Sequence, residues 1–529
     1  MEAKPRRKKA RTAPMSKFGS LKSHPFGVQP MGNSFLAPGP NQRPPADRRG
    51  GLGAIAVLTD EVLMSYVALE FVVLLCNTDA VNESLVFRLM RCSRALYVLC
   101  NTDAVWRDRC IARFGGGFGA FSDSWKNTYK AALFASLSVN EKEGIVFVPD
   151  VPIKVGFFSD YLFSSWRCST VPLDALCRSN APDNIDRRCN LSMECFIEEY
   201  DKPGKPVILT DVVTKWPAFK KWSMDYLEKT VGDTIFRAES VDLPFKSYAA
   251  YAKHCRENGG SFEEAPLYLF DKYFSHRTSL ADDYTVPEYF SEDLFQVLGA
   301  EKRPDYRWII IGPPRSGSTF HLDPNSTSAW NAVITGSKKW LLFPPDCIPP
   351  GVFPSVDGSE VTTPISLAEW FLNHYDEIKH WPVKPVECIC RAGEILYVPR
   401  GWWHCVMNLE ESIAITQNFV NTVNLASVLR FCRTKPEQVS GYGSGCLGEE
   451  LGATLYNRFK SALAPTHQHV IDEELELAQH ASRILTNDKE EDDKKKLASL
   501  FGKKPALSAL AGLCGADDAD AGSSFRFSF

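Results

Sequence analysis

His321 and Asp323 stand two residues apart in Thr319-Phe320-His321-Leu322-Asp323-Pro324. On a β-strand, residues i and i+2 project from the same face, so an imidazole and a carboxylate converge on one point. A second imidazole stands 81 residues beyond Asp323, in Val398-Pro399-Arg400-Gly401-Trp402-Trp403-His404, where a strand is followed by a glycine bend. Two histidines and one carboxylate form the donor set that holds non-haem iron(II) on one face of an octahedron. The open positions can take a chelating keto acid and dioxygen, whereas a structural zinc site is closed by four ligands. His-x-Asp alone is common by chance, and a lone strand histidine is more often a hydrogen-bonded core residue. The distant His404 is what lifts this pair above that background.

A lysine lies between the two motifs. Thr327-Ser328-Ala329-Trp330-Asn331-Ala332-Val333-Ile334 reads as a strand, Thr335-Gly336-Ser337 as a turn, and Lys338-Lys339-Trp340-Leu341-Leu342-Phe343 as the return strand. An isolated Lys338 would read as an exposed hairpin lysine. Facing a metal cavity it would be costly, unless an anion such as the distal carboxylate of 2-oxoglutarate paired with it.

These residues need a rigid platform, and the chain from about residue 181 supplies its signature. Short apolar runs alternate with turns: Pro206-Val207-Ile208-Leu209, Leu267-Tyr268-Leu269-Phe270, Trp308-Ile309-Ile310-Ile311, Trp340-Leu341-Leu342-Phe343, Glu394-Ile395-Leu396-Tyr397-Val398 and Ser412-Ile413-Ala414-Ile415-Thr416. Many short strands with Gly/Pro punctuation predict a β-barrel or sandwich, here preceded by helical stretches such as residues 193–200.

Taken together, Pro313-Pro314-Arg315-Ser316-Gly317, His321-Leu322-Asp323-Pro324, Thr327-Ser328-Ala329-Trp330-Asn331-Ala332, Lys338-Lys339-Trp340 and Gly401-Trp402-Trp403-His404 resemble jumonji-C domains. The nearest subgroup contains the bifunctional arginine demethylase and lysyl hydroxylase, once called the phosphatidylserine receptor. The resemblance implies an α+β fold, a double-stranded β-helix or cupin-like jelly roll with flanking helices, over residues 181–435. It implies iron(II) as metal, 2-oxoglutarate as cosubstrate and O2 as oxidant. His321, Asp323 and His404 match the iron ligands. Lys338 and Thr416 match groups at the far carboxylate of 2-oxoglutarate, and Tyr268 and Asn331 match further cosubstrate-side positions. Ser318 sits where the subgroup commonly has Thr and keeps the hydroxyl. The implied reaction couples decarboxylation of 2-oxoglutarate to hydroxylation of a protein arginine or lysine, on histones or RNA-processing factors. Hydroxylation of an N-methyl group leads to loss of formaldehyde, and hydroxylation of a side-chain carbon gives a stable product.

Residues 52–115 read as helical and apolar, with a helix start at Thr59 or Asp60. The order of a short opening helix, a Ser93-Arg94 helix and a closing Trp106-Arg107 resembles an F-box, a module found ahead of jumonji-C domains. That resemblance implies a Skp-type ubiquitin-ligase adaptor as partner; the alternative is an ordinary small helical domain. Within this segment Leu75-Cys76-Asn77-Thr78-Asp79-Ala80-Val81 recurs letter for letter as residues 99–105. One seven-residue echo is too little for a repeat architecture and reads as a local duplication or a misplaced exon boundary. Residues 116–180 read as an ordered connector, and 436–529 as a helical, then disordered tail with a charge-dense stretch at 488–496.

The 529 residues carry a net charge of −4, with 44% hydrophobic and 23% charged residues, which is ordinary globular usage. The balance does not mark a dedicated nucleic-acid binder, although direct nucleic-acid binding stays open. Residues 1–50 hold eleven Lys/Arg against Glu2 and Asp47, a net of +9 that leaves −13 for the remainder. With eight prolines as well, this segment reads as a disordered tail. Its Lys4-Pro5-Arg6-Arg7-Lys8-Lys9-Ala10-Arg11 run reads as a nuclear localisation signal or a non-specific basic tail, so residence in the nucleus, with cytoplasm as a second site, is expected. Sixteen cysteines without a Cys-x-x-Cys pair, and no apolar leader, fit reduced thiols in an intracellular protein. No apolar run reaches the ~20 residues of a membrane span. Two rival functions remain: an F-box substrate receptor whose barrel only binds targets, and a cupin isomerase or sugar enzyme. The second would give Lys338 no role.

Overall fold

The computed structural model describes residues 23–32, 51–65, 83–137, 153–177, 183–258, 263–441 and 448–486. The readings made for 1–22 and 33–50, for the first copy of the echo at 75–81 and for the charged stretch at 488–496 lie outside them. Residues 23–32, expected to be disordered, are instead docked on 155–159: the Gln29 N–H donates to the Phe157 carbonyl and the Ser159 N–H to the Gln29 carbonyl, both at 3.0 Å, and Val28 is buried. Its strands, in chain order, are β1 (Asp186–Arg188), β2 (Val207–Leu209), β3 (Ile235–Ala238), β4 (Val241–Pro244), β5 (Leu269–Asp271), β6 (Arg307–Gly312), β7 (Gly317–His321), β8 (Ser328–Thr335), β9 (Ser337–Phe343), β10 (Phe353–Pro354), β11 (Val361–Thr362), β12 (Val386–Arg391), β13 (Ile395–Val398), β14 (Trp403–Asn408) and β15 (Ser412–Phe419). Two sheets matter for function. The larger has the order β1-β2-β13-β8-β15-β6-β5-β3-β4, and the smaller β12-β9-β14-β7.

Period-2 alternation sorts each strand between two environments. In β9, Trp340 and Leu342 join Ala329 and Val333 of β8, Leu396 and Val398 of β13 and Val406 of β14 in an apolar cluster between the sheets. Leu341 and Phe343 point the other way, into a cluster with Phe320, Trp403 and Trp370 on the back of the small sheet. Trp330, Ala332, Ile413 and Ile415 likewise face away from the interior, into the largest core of the molecule. Both faces of both sheets are therefore covered. That explains why these strands read as nearly continuous apolar runs rather than clean polar/apolar alternation.

The helices used below are α1 (Asp60–Ser65), α2 (Glu83–Cys92), α3 (Arg94–Asn101), α4 (Asp103–Phe114), α5 (Trp125–Ser136), α6 (Asp160–Thr170), α7 (Phe245–Glu257), α8 (Leu367–Asn373), α9 (Leu425–Thr434) and α10 (Gly448–Thr486). Serines start several of them: Ser93, Ser124, Ser159 and Ser366 each accept a hydrogen bond from the backbone N–H three residues on. Thr59 does the same for Val62 at 3.4 Å, at the predicted start of α1. The second copy of the echo has structural work. Asp103 accepts from the N–H groups of Trp125 and Lys126, both at 3.0 Å, and so ties α5 to α4.

The helical segment does not stand apart from the barrel. Val98, Leu99, Trp106 and Trp125 share one buried cluster with Tyr248, Tyr251 and Leu269, which belong to the barrel side. Among the described residues, no helix is long and apolar enough to cross a membrane.

Candidate metal and cosubstrate site

The register of the small sheet builds the centre of the site. β14 runs antiparallel to β7 with His404 directly opposite His321. Side chains of such a pair project from the same face, and these two imidazole rings lie with centroids 4.2 Å apart. Asp323 follows at the end of β7. One ligand atom from each of His321, Asp323 and His404 falls within 4.8 Å of the others, close enough for one ion to hold all three. The glycine bend before His404 is real: Gly401 has φ +76°, a conformation that side chains with a Cβ rarely adopt. After Asp323 the chain turns sharply through Asn325 and Ser326, both at positive φ. Asn325 fixes this loop by exchanging two 3.0 Å hydrogen bonds with the backbone of Ser440.

The ring orientations suit metal binding. The Nδ1 of His321 is 2.7 Å from the Thr319 carbonyl, and that of His404 is 2.9 Å from the Trp402 carbonyl. A carbonyl accepts only, so each Nδ1 carries the proton and each Nε2 presents a lone pair. Burial lowers both imidazoles to about 4, reinforced for His321 by the neighbouring His404. They are therefore neutral, the form that ligates, at physiological pH. Burial pushes Asp323 upward, opposed by His321 and by a hydrogen bond from Asn418. Asn418 Nδ2 donates to Asp323 Oδ1 at 3.2 Å and to Thr327 Oγ1 at 2.8 Å, which orients the carboxylate.

The other end of the barrel interior belongs to Lys338. On β9 it stands opposite Asn408 of β14, four residues and ~13 Å of strand from His404. Lys338 is fully buried, and its ammonium donates to the hydroxyl of Tyr268 at 2.9 Å. No carboxylate of the described residues is paired with it, and burial lowers it to about 7. Along the same interior, Asn331 Oδ1, Asn408 Oδ1 and the indole nitrogens of Trp308 and Trp340 are buried with no hydrogen-bond partner among the described residues. A buried cation and two indole N–H donors without acceptors fit an anionic occupant, while the two amide oxygens, which only accept, call for a donor.

The other predicted residues fall as follows. Asn331 and Thr416 are cross-strand partners on β8 and β15, facing the interior, and the Thr416 hydroxyl donates to the Trp330 carbonyl at 2.9 Å. Thr416 thus lies on the large sheet, across the barrel from Lys338. Ser318 on β7 stands opposite Val406, an interior residue. Tyr268 immediately precedes β5, which begins two residues later than the predicted strand at 267. Sequence reasoning missed Asn418 and Asn408. Period 2 could have found them, since Asn418 is two residues past Thr416 and Asn408 four past His404 on the same faces.

Comparison with known proteins agrees with this geometry. Residues 192–424 match the model of a family described as a cupin-like domain. The arginine-specific demethylase JMJ22 of Arabidopsis thaliana is 44% identical over 463 residues, covering 87% of this chain and 85% of that protein. The bifunctional arginine demethylase and lysyl-hydroxylase psr-1 of Caenorhabditis elegans is 35% identical over 249 residues, 45% of this chain and 60% of that protein. The 2-oxoglutarate and iron-dependent oxygenase JMJD4 of Gallus gallus is 33% identical over 271 residues, 46% of this chain and 61% of that protein. With the cupin-like fold and a two-histidine, one-carboxylate cluster in its interior, this chain belongs to the jumonji-C family of iron- and 2-oxoglutarate-dependent oxygenases.

Proposed function

We propose that His321, Asp323 and His404 bind iron(II), that Lys338 pairs with the far carboxylate of 2-oxoglutarate, and that the enzyme hydroxylates protein side chains, N-methylated arginine first among them. The observation that carries the reading is the convergence of three ligand atoms within 4.8 Å, at one end of a barrel interior whose other end holds a buried lysine that no carboxylate of the described residues pairs. The choice of arginine rests on JMJ22, which is named an arginine-specific demethylase and covers most of this chain. Lysyl hydroxylation, named for psr-1, uses the same chemistry on a different carbon.

Bound iron with 2-oxoglutarate and O2 supplies the oxidising power to hydroxylate an unactivated C–H bond, with succinate and carbon dioxide as coproducts. The chain's own residues do the rest. Asn418 holds Asp323 in place, and the carbonyls of Thr319 and Trp402 hold the imidazoles. Lys338 and Tyr268 fix one end of the cosubstrate, with Asn331 and Ser318 along the interior; Thr416 joins them once its hydroxyl turns from the Trp330 carbonyl. The apolar walls of the barrel keep water from the reacting carbon.

Succinate formation by the full chain, with iron, 2-oxoglutarate and candidate peptides, tests the enzyme claim. His321→Ala is expected to abolish it, and equal turnover by wild type and variant would sink the proposal. Mass spectrometry of the peptides separates the outcomes: a gain of about 16 mass units for stable hydroxylation, a loss of about 14 for demethylation. Histones and RNA-processing factors are the first substrates to try. Two further proposals rest on the sequence, the first on its resemblance to an F-box and the second on its basic N-terminal run. The helices at 52–115 dock a Skp-type adaptor, tested by co-purification of adaptor and cullin with the full chain. The basic run at 4–11 directs the protein to the nucleus, tested by imaging a charge-neutralised variant.

A further inference from the structure

Tyr268 meets Lys338, and the backbone leading into Tyr268 is held in part by residues outside the barrel. Arg107, on α4, donates from Nη1 to the Ala265 carbonyl at 3.3 Å and lies 3.7 Å from the Glu263 carboxylate. The indole of Trp125, at the start of α5, donates to the same carboxylate at 2.6 Å. Glu263 also accepts from the Tyr251 hydroxyl on α7. That hydroxyl in turn accepts from the backbone N–H of Leu267 at 2.9 Å. The Tyr248 hydroxyl, one turn earlier on α7, lies 3.1 Å from the Leu267 carbonyl and 2.7 Å from that of Ile311. An unbroken series of hydrogen bonds thus runs from α5 through Glu263, Tyr251 and Leu267 to the residue before Tyr268, and α4 joins it by the Arg107–Glu263 ion pair and the bond to Ala265.

The cluster is not explained by helix packing alone. Trp125 is fully buried with its indole N–H spent on a carboxylate of the barrel side. Arg107 belongs to the Trp106-Arg107 pair that resembles the closing element of an F-box, yet its charged end is turned toward residues 263–265. Arg107 carries the charge that compensates a carboxylate removed from water, a pairing whose loss leaves a buried anion unbalanced.

We propose that Arg107 and Trp125 are positioning residues for cosubstrate binding: through the 263–267 segment they hold Tyr268 against Lys338, so the N-terminal helices complete the 2-oxoglutarate end of the site. This rests on the reading of Lys338 as the partner of the cosubstrate carboxylate. It deepens that reading by assigning an N-terminal element to the same pocket.

The test measures 2-oxoglutarate binding to the full chain with manganese(II) in place of iron, alongside turnover with iron. Arg107→Gln is expected to raise the KM and the dissociation constant for 2-oxoglutarate about tenfold, while kcat and metal affinity change less than about twofold. Arg107→Lys restores part of the loss. Trp125→Phe, which keeps the ring and deletes one donor, shifts the same constants by a smaller factor. Hydrogen exchange on the wild type needs no variant to fold. By reciprocity of coupling, 2-oxoglutarate should slow exchange in α4 and α5 as well as in 263–270. Protection confined to 263–270, or variants that lose stability with unchanged affinity for 2-oxoglutarate, overturns the inference. A Lys338→Met enzyme that still binds 2-oxoglutarate overturns the underlying reading instead.

Discussion

His404 on β14 is the direct cross-strand partner of His321 on β7, and their ring centroids lie 4.2 Å apart. The metal centre is therefore a consequence of sheet register. A slip of one residue between β14 and β7 would turn one imidazole out of the barrel and Trp403 or Cys405 into it. The register is held by the apolar back of the sheet, where Phe320, Trp403, Cys405 and Met407 share one core, so the packing that stabilises the fold also aims the ligands.

Asn418→Ala tests how far the carboxylate depends on its support. Asn418 bridges Asp323 and Thr327. Removing a group that orients a ligand typically weakens metal binding on the order of 10–100-fold. The variant should bind iron more weakly by about that factor while folding normally, as read by equilibrium metal titration and circular dichroism. Unaltered iron affinity would show that Asp323 needs no such support.

Lys338 and Lys339 are neighbours in sequence with opposite fates. Lys339 points to the back of the small sheet, where its ammonium meets Glu387 at 2.6 Å and both are almost wholly buried. The Tyr375 hydroxyl sits within 3.1 Å of both Glu387 oxygens. Glu387→Ala strands a buried cation and should cost about 3–5 kcal/mol in urea unfolding, whereas joint Lys339→Met and Glu387→Leu substitution should be nearly neutral. A small loss in the single variant would mean that water reaches the pair.

Much of this was legible in the residues. His-x-Asp and the distant histidine named the centre, because metal ligation demands specific atoms at specific spacing. The Thr335-Gly336-Ser337 turn and its flanking strands were readable from β-propensity and period, and β8 and β9 bear them out. The sequence could not reveal which strands pair. β7 joins β14 across 82 residues of chain, and that register is set by packing between segments far apart. The packing of α4 and α5 against residues 263–267 was also invisible, since Arg107 and Trp125 carry no motif for a carboxylate that lies well over a hundred residues away. Thr416 shows a limit of resemblance: its position on the interior face is as expected, yet its proton goes to the Trp330 carbonyl, leaving only the oxygen lone pairs for other contacts.

Gly317→Ala probes the close approach of β7 to β14. Gly317 has φ +155°, and a Cβ there would lie 1.9 Å from the Val406 carbonyl oxygen, a backbone atom that cannot swing aside. The strands would have to part at the position four residues before His321. Loss of about 2–4 kcal/mol in stability is expected, with reduced iron loading even well below the melting temperature. A fully loaded enzyme with wild-type melting would place the contact outside what the metal centre requires.

Lys338 gives a pH signature that needs neither metal nor substrate. Its folded-state value is lowered by burial from 10.5 to about 7. Between those values the unfolded chain binds the proton that the folded protein has released. Stability conferred by a lysine of this kind therefore rises with pH from about 7 to about 10, by at most about 1.4 kcal/mol per unit. Lys338→Met removes the group and should flatten that part of the curve, so the difference in unfolding free energy between wild type and variant changes across pH 7 to 9. The same lysine must be protonated to pair with a carboxylate, so 2-oxoglutarate binding takes up a proton and weakens as pH rises above about 7. Parallel stability curves for the two proteins, together with pH-independent binding, would mean that Lys338 stays charged inside the barrel with a partner of its own.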